Sequence, residues 1–302
     1  MTSLRGFASL VLAAATFSTL SAETRCPGNV AGVPLKIVDR QKILLDVSVN
    51  HSGPYRFLLD TGSQVTVLDS SLATELHLSV QDSASVLNSD GLYTSASFAQ
   101  VDRLEAGAHA VTGQTVFVYD LQRLNSIVRP VRGILGEDFL GQFDMLIDNE
   151  HGLLCLDDSA TLRANVKGLH IALVAAAESA DSQPLSYLLI VAAQIPNARR
   201  PVRLILDSGS NIPVLYNLSQ FVTRVLFSEK SLQVMRADGA QRAFSILPRQ
   251  EVRIGPVDLS GVLFVIPRGV AATPNMVEDG LLPTELFRRV FIDHVNHVAV
   301  LE

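Results

Sequence analysis

The sequence contains no tryptophan, few aromatic residues and no excess of positive charge. Aromatic side chains make up 6% of its 302 residues, and the formal net charge is −6. Binding to nucleic acid usually requires a clustered basic stripe, and the sequence has none. Few aromatics also disfavour stacking on sugars or bases. The composition therefore excludes nucleic acid as an expected partner, while 48% hydrophobic residues are ample for a globular core.

Cysteine is equally scarce, since only Cys26 and Cys155 are present. Neither has the Cys and His neighbours of a metal site or of a thiol nucleophile. Two interpretations fit the pair. An exported chain could join them in a disulfide, or one could be a thiol of the N-terminal tail and the other a buried thiol of a strand.

The N-terminal segment is typical of an export signal. No long hydrophobic run follows it. Arg5 is the only charge before Glu23, an apolar run spans Phe7–Phe17, and small residues lead up to Ala22. The run is too short to cross a bilayer and is followed by a polar break. We therefore predict a signal peptide over residues 1–22, a periplasmic or secreted protein, and no membrane span in the mature chain. The alternative is a buried N-terminal helix.

The remaining sequence is an internal duplication. Tyr55–Leu68 matches Val202–Leu215, with Asp60 and Asp207 in the same place, at an offset of 207 − 60 = 147 residues. Gly133–Leu140 matches Gly280–Phe287 at the same offset, since 280 − 133 = 147. Matching landmarks in the same order predict two similar lobes. We place them at residues 23–160 and 161–302.

Each half has the pattern of an all-β structure, because short β-branched and aliphatic runs alternate with turn residues. Only short helices are expected, near Ser70–Leu76, Glu137–Leu140 and Thr284–Arg288. The predicted strands are Lys36–Val38, Ile43–Val49, Tyr55–Leu59, Thr115–Tyr119, Leu153–Leu156, Ile171–Val174, Tyr187–Ala193, Val202–Leu206, Val262–Ile266 and His297–Leu301.

The best-matched segments both centre on an aspartate that ends an apolar strand, in the tetrapeptides Asp60–Ser63 and Asp207–Ser210. Glycine allows tight backbone geometry and the close approach of another segment. A Thr or Ser hydroxyl can bond the backbone of the opposing loop. One such loop is a weak signal, but two at the spacing of a duplication are strong. The expected supporting residues are Thr61, Gly62, Ser63, Ser208, Gly209 and Ser210.

Pseudo-twofold packing would bring the carboxylates of Asp60 and Asp207 together. Two carboxylates at hydrogen-bonding distance cannot both ionise easily, so they share one proton. Such a pair combines a general base that activates water with a general acid that polarises a carbonyl. It requires no metal and no cofactor. The sequence therefore predicts that these two aspartates are the catalytic residues.

On these motifs the chain resembles a two-lobed, pepsin-type aspartic peptidase with lobes close in length to retropepsin subunits, of the bacterial retropepsin-like type. Asp60–Gly62 and Asp207–Gly209 match the family's triplets, and Ile134–Gly136 matches its apolar-apolar-Gly motif. Pro283 stands where the second such motif would carry glycine. The resemblance implies two pseudo-twofold-related retropepsin-like β-barrel lobes, that is, the acid protease fold. It also implies substrate-binding flaps at Asp90, Gly91, Tyr93, Asp238 and Gly239.

The predicted activity is that of an aspartic endopeptidase that cuts extended peptides in the cleft between lobes. A monomer should suffice, because both triplets lie in one chain. The alternative is a catalytically silent peptide-binding protein with the same fold. We expect Ser63 and Ser210 to donate to the dyad and extend activity towards acid, or else to bond only local backbone. His294 and His297 are expected at the surface, not in a metal site.

Overall fold

The structure is a computed structural model that describes residues 25–38, 42–87, 93–122, 124, 131–175, 188–216, 221, 231–235, 241–268 and 278–302. Over these residues the chain is mostly β-strand with a few short helices, which confirms the predicted all-β class. No helix in the described ranges has the length and apolar character needed to span a bilayer.

The strands are numbered in chain order. They are β1 Gly32–Pro34, β2 Lys36–Val38, β3 Lys42–Val49, β4 Ser52–Leu59, β5 Val67–Asp69, β6 Val80–Leu87, β7 Tyr93–Ala106, β8 His109–Tyr119, β9 Gly133–Leu135, β10 Asp144–Asp148, β11 Leu153–Asp157, β12 Ile171–Ala172, β13 Ile190–Gln194, β14 Val202–Asp207, β15 Val214–Leu215, β16 Ser231–Met235, β17 Gln241–Ile246, β18 Gln250–Ile254, β19 Val257–Val262, β20 Val265–Pro267, β21 Gly280–Pro283, β22 Arg289–Asp293 and β23 Val298–Leu301. The helices are α1 Ser70–Glu75, α2 Glu137–Leu140 and α3 Thr161–Asn165, with 3-10 turns at Pro27–Asn29 and Thr284–Leu286.

The first half forms an eight-stranded sheet in the order β2-β3-β4-β9-β5-β8-β7-β6, and β3 also pairs with β7. Its centre is the parallel pair β4–β9, in which Leu58 is aligned with Ile134. Alternating residues of these strands are buried on the core side. Phe57 and Leu59 are among the fully buried side chains of the main core. Leu58 and Ile134 are buried in a second cluster on the opposite face, so β4 is covered on both faces where it approaches Asp60.

The second half forms a nine-stranded sheet in the order β16-β17-β20-β15-β21-β14-β13-β18-β19. Its parallel pair β14–β21 aligns Ile205 with Leu281. These residues are the partners Leu58 and Ile134 of the first half shifted by 147, since 58 + 147 = 205 and 134 + 147 = 281. The duplication seen in the sequence is therefore a duplication of strand register.

A third sheet joins the halves, with six strands in the order β1-β11-β10-β22-β23-β12. At its centre β10 and β22 pair antiparallel, and Met145 is aligned with Ile292. Leu146 and Phe291, which are also aligned in this pair, occupy equivalent places in the two hairpins, because their partners are Cys155 of β11 and Val300 of β23, and 291 − 146 = 300 − 155 = 145. The pseudo-twofold axis therefore passes through this pair of strands. The predicted division at residues 160/161 falls just before α3, and strands from both sides of it build this sheet.

A disulfide joins Cys26 to Cys155, a residue of β11, at the edge of the six-stranded sheet. Both cysteines are buried among Leu146, Leu162 and neighbouring apolar side chains. Of the two interpretations of the cysteine pair, the structure therefore selects the disulfide. It ties the segment before β1 to the first half.

Apart from shifts at strand ends, two predicted elements differ from the observed ones. The predicted strand Val262–Ile266 is broken, because β19 ends at Val262 and β20 begins at Val265 in a different pairing. The predicted helix Thr284–Arg288 is a shorter 3-10 turn. An apolar run does not show where a chain leaves one strand partner for another, so sequence periodicity could not locate this break.

Candidate active site

Each aspartate triplet begins where a buried strand ends. Asp60 follows the last residue of β4, and its N–H donates to the Leu135 carbonyl of β9 at 3.1 Å. Asp207 is the last residue of β14 and is aligned with Pro283 of β21. Since β4–β9 and β14–β21 are duplicated parallel pairs, the halves present their aspartates from equivalent places. Pro283 in place of glycine leaves this register intact.

The two carboxylates meet where the halves join. The side chains of Asp60 and Asp207 are hydrogen-bonded to each other. A β-carbon added to Gly62 would lie 2.6 Å from Asp207 Cγ, and one added to Gly209 would lie 2.4 Å from Asp60 Cγ. Each glycine thus packs against the carboxylate of the other half, at a distance that no side chain tolerates. The glycines of both triplets are required by this contact between halves.

A reciprocal set of hydrogen bonds locks the two loops together. The Thr61 N–H donates to Ser208 Oγ at 3.0 Å, and the Ser208 N–H donates to Thr61 Oγ1 at 3.0 Å. Each hydroxyl then donates across the junction to a strand carbonyl, Thr61 to Leu206 at 2.7 Å and Ser208 to Leu59 at 2.9 Å. Both side chains are fully buried. The expectation that these hydroxyls bond the opposing loop agrees with the geometry.

Backbone donors and burial set the charge state of the pair. The Gly62 N–H donates to Asp60 Oδ1 at 3.0 Å, and the N–H groups of Gly209 and Ser210 donate to Asp207 Oδ1 at 2.7 and 3.0 Å. Removal from water raises the pKa of Asp60. Burial, and then the charge of Asp60, raise the pKa of Asp207 to about 8. Two adjacent carboxyls with raised pKa values form the arrangement expected for sharing one proton.

The serines that follow the triplets do not donate to the dyad through their hydroxyls. Ser63 Oγ donates to the Val65 carbonyl at 2.8 Å, and Ser210 Oγ donates to the Ile212 carbonyl at 3.0 Å. The structure thus corrects the expectation that these hydroxyls tune the carboxylates. The reason is local: in a tight loop a serine hydroxyl can bond the carbonyl two residues ahead, and both serines do so here.

The loop of the first half is supported by Asp138 of α2. Its carboxylate accepts from Thr66 Oγ1 at 2.7 Å and from the Thr66 N–H at 2.9 Å. Thr66 Oγ1 in turn accepts from the Gly136 N–H at 3.2 Å. The α2 N-terminus adds the Glu137 N–H, which donates to the Ser63 carbonyl at 2.8 Å. The position of the loop therefore depends on one acid and one hydroxyl that are remote in sequence.

Sequence reasoning missed a buried ionisable pair next to this loop. His294 Nε2 lies 3.1 Å from Glu137 Oε2, and His294 Nδ1 contacts the Phe143 carbonyl. Glu137 is completely buried, and the His294 side chain is only 15% exposed. The expectation of a surface residue is therefore wrong for His294, whereas His297 is exposed. The 294–297 turn packs on α2 of the other half, which a pattern of residue spacing cannot show.

Lys42 was also missed. It begins β3, and its ammonium donates to the Gly209 carbonyl of the opposite half. Its charge acts on both Asp60 and Asp207. A lone lysine before an apolar strand gives no sequence signal for such a contact, because Lys42 and Gly209 are 167 residues apart.

In the sequence, the predicted flap tips follow β6 and β16. β6 pairs with β7, where Leu87 is aligned with Tyr93, and β16 pairs with β17, where Met235 is aligned with Gln241. The tip residues Asp90, Gly91, Asp238 and Gly239, and the side chain of Tyr93, lie outside the described residues.

Residues 45–139 match the model of the aspartyl protease family. An aspartic proteinase from Irpex lacteus has a similar structure, with a TM-score of 0.50 and 15% identity, over 90% of this chain and 97% of that one. The chain has the aspartic protease fold. The match spans both halves, which agrees with the two-lobed, pepsin-like resemblance of the sequence. Together, the family match and the fold support a protease function.

Two further similarities have lower TM-scores. A retropepsin-like aspartic protease from Rickettsia conorii aligns with a TM-score of 0.31 and 17% identity, over 42% of this chain and 90% of that one. Basic 7S globulin from soybean aligns with a TM-score of 0.49 and 9% identity, over 90% of this chain and 94% of that one. No curated protein sequence matches the chain significantly.

Proposed function

We propose that this chain is an aspartic endopeptidase in which Asp60 and Asp207 act as one catalytic dyad. The observation that carries the proposal is the crossed contact at the junction of the halves. Gly62 packs on the Asp207 carboxylate and Gly209 packs on the Asp60 carboxylate. No structural requirement of a β-sheet calls for two hydrogen-bonded carboxyls at this point, and leaving them there raises both pKa values.

The chemistry follows from the shared proton. The ionised carboxylate accepts a proton from a water molecule, while the protonated partner donates a hydrogen bond to the scissile carbonyl. Attack by the water gives a tetrahedral intermediate. Its collapse transfers a proton to the leaving amine and restores the singly protonated pair. The dyad titrates as a unit, so neither residue is assigned the proton.

The raised pKa values of the pair set the alkaline end of the active range. The mechanism needs one proton on the pair, and that proton is lost as pH rises past about 8. Activity should therefore extend from acidic through neutral pH and fall above that value. The burial that raises the pKa is the same burial that excludes bulk water from the base of the dyad.

We further propose that the substrate is an extended peptide or protein, bound by a monomer outside the cytoplasm. The presence of both aspartate loops in one chain supports the monomer. The apolar segment Phe7–Phe17 before small residues supports export. The Cys26–Cys155 disulfide adds support, because such bonds persist in oxidising compartments.

Digestion of an unbiased peptide library tests this function. Purified protein should cleave internal peptide bonds, and a pepstatin-type inhibitor should stop the cleavage. A serine-protease inhibitor should leave it unchanged. Cleavage that resists the pepstatin-type compound would contradict the dyad mechanism, and the absence of any cleavage between pH 3 and 8 would favour the peptide-binding alternative.

A further inference from the structure

Among the described residues, Lys42 places a cation next to the candidate dyad. The Lys42 ammonium donates to the Gly209 carbonyl, and Gly209 is the residue that packs on the Asp60 carboxylate. Lys42 therefore binds a residue that lies two positions after Asp207 and packs directly on the Asp60 carboxylate. Lys42 reaches this point from the other half of the chain, so the contact also bridges the junction between the halves.

Among the described residues, the charge of this ammonium acts on three carboxyls. They are Asp60 at the end of β4, Asp207 at the end of β14, and Glu285 in the 3-10 turn after β21. Glu285 Oε1 is buried and accepts no hydrogen bond from the described residues. Lys42 itself is partly buried. The positive charge is therefore held among acids of both halves, and water screens it less than it would screen a surface lysine.

The cation breaks the symmetry of the duplication. In the first half β3 pairs with β4 so that Leu44 faces Leu58, and in the second half Ile190 faces Ile205. Two residues before these partners, Lys42 of the first half corresponds to Leu188 of the second. An apolar side chain thus stands where a twofold-symmetric design would repeat the lysine. The strand pairing does not require a lysine at this position.

We propose that Lys42 is a positioning residue of the dyad, which anchors the second aspartate loop through the Gly209 carbonyl and supplies a positive charge beside the carboxylates from the first half. The inference rests on the proposed peptidase function. A nearby cation favours the ionised form of a carboxyl, and here it acts on both members of the pair. The pH range over which the pair holds one proton should therefore lie further towards acid than it would without Lys42.

The kinetic test compares Lys42→Gln, which keeps a hydrogen-bond donor without the charge, with Lys42→Arg, which keeps both. In Lys42→Gln both limbs of the kcat/KM pH profile should move towards alkaline pH by about one unit, the low end of the effect of an adjacent charge. Lys42→Arg should keep the wild-type limbs. A merely structural role would lower kcat/KM at every pH without moving the limbs.

Lys36→Gln is the matched control. Lys36 lies on β2, which pairs with β3, and its ammonium binds the exposed Asp46 carboxylate at 3.0 Å. Lys36→Gln removes one positive charge from the same hairpin at a place away from the dyad. It should therefore leave the kcat/KM pH profile unchanged. Superimposable limbs for wild type and Lys42→Gln, or an equal shift in Lys36→Gln, would overturn the proposal.

A stability measurement separates this inference from the peptidase proposal. The attraction exists only when the dyad is ionised, so the loss of unfolding free energy in Lys42→Gln should grow as pH rises from 4 to 8. The Lys42 charge also acts on Glu285. The unfolding free energies with and without Lys42→Gln are therefore compared in a chain that carries Glu285→Gln. In the Asp60→Asn, Asp207→Asn background the growth should disappear. If the pH-dependent growth persists in that background, Lys42 does not act on the dyad. If the growth depends on the two aspartates but the chain cleaves no peptide, the result contradicts only the peptidase function.

Discussion

The loop that carries Asp60 is held by hydrogen bonds that involve Thr66, Gly136 and Asp138. At the loop that carries Asp207, the equivalent positions, 147 residues later in the sequence, are Pro213, Pro283 and Glu285. The two prolines have no N–H to donate, but their rings fix the backbone φ angle. The strand registers on both sides are nevertheless the same. The comparison teaches that the parallel strand pairs place the carboxylates, and that two different local chemistries can hold the loops there.

The disulfide is the largest difference in covalent structure between the halves. It closes a loop over a sequence separation of 129 within the first half. Replacing both cysteines, Cys26→Ser with Cys155→Ser, should lower the free energy of unfolding by about 4 kcal/mol, because the unfolded chain regains the freedom of a long loop. Urea unfolding of the two proteins measures the loss. Equal stability would show that the six-stranded sheet holds the N-terminal segment without the bond.

The glycines of the triplets test whether the halves contribute equally. Gly62→Ala and Gly209→Ala each add a carbon within 2.6 Å of the opposite carboxyl carbon, so the pair must separate. Both variants should lose at least about 100-fold in kcat/KM, the cost of misplacing a catalytic group by about 1 Å. Circular dichroism checks that the fold persists. A loss confined to one of the two variants would contradict the crossed packing.

The hydrogen-bonded support of the first half can be removed alone. Thr66→Val deletes the hydroxyl that bonds Asp138 and the Gly136 N–H, and it leaves buried polar groups without a partner. The expected cost is about 1–3 kcal/mol of stability. Thr74→Val is the control, because the Thr74 hydroxyl donates to the Ser70 carbonyl on the exposed side of α1. Similar costs for the two variants would mean that the Thr66 network contributes little.

The pair formed by Glu137 and His294 has a different arrangement at the equivalent place of the other half. His294 follows β22 and binds Glu137, whereas Asn149 follows β10 and donates to the carbonyls of Thr284 and Phe287 at 3.0 Å. Burial alone would lower the pKa of His294, but its contacts with Glu137 outweigh burial and raise it. A raised histidine pKa contributes stability below the ordinary value of 6.5, and this is lost as pH rises through the raised value.

His294→Asn copies the equivalent residue of the other half. In this variant the free energy of unfolding should fall less as pH rises above 6.5, by about 1 kcal/mol or less compared with wild type. Thermal unfolding across pH 5–9 checks this expectation. His297→Asn is the control, because His297 is exposed in the same turn. An unchanged slope in His294→Asn would show that the pair does not titrate with folding.

Much of the architecture could be predicted from the sequence because the duplication repeats both the strand ends and the glycines. The offset of 147 residues, read from Asp60 and Asp207, is also the offset of the observed registers. The crossed bonds of Thr61 and Ser208 follow from the same reasoning.

The remainder depends on contacts between segments that no local pattern links. Lys42 reaches Gly209, and His294 reaches Glu137, across 167 and 157 residues. Cys26 and Cys155 are joined because β1 lies beside β11, which the spacing of two cysteines does not reveal. The Ser63 hydroxyl had two possible acceptors, and only the loop conformation decides between them.

The central claim is that one carboxyl from each half forms a single catalytic unit. The most direct measurement is kcat/KM for Asp60→Asn and Asp207→Asn, side by side with wild type, on one cleaved peptide at its optimal pH. The account predicts that both variants lose essentially all activity while their unfolding curves still show a folded protein, since a dyad with one carboxyl cannot share a proton. Substantial cleavage by either variant would contradict it.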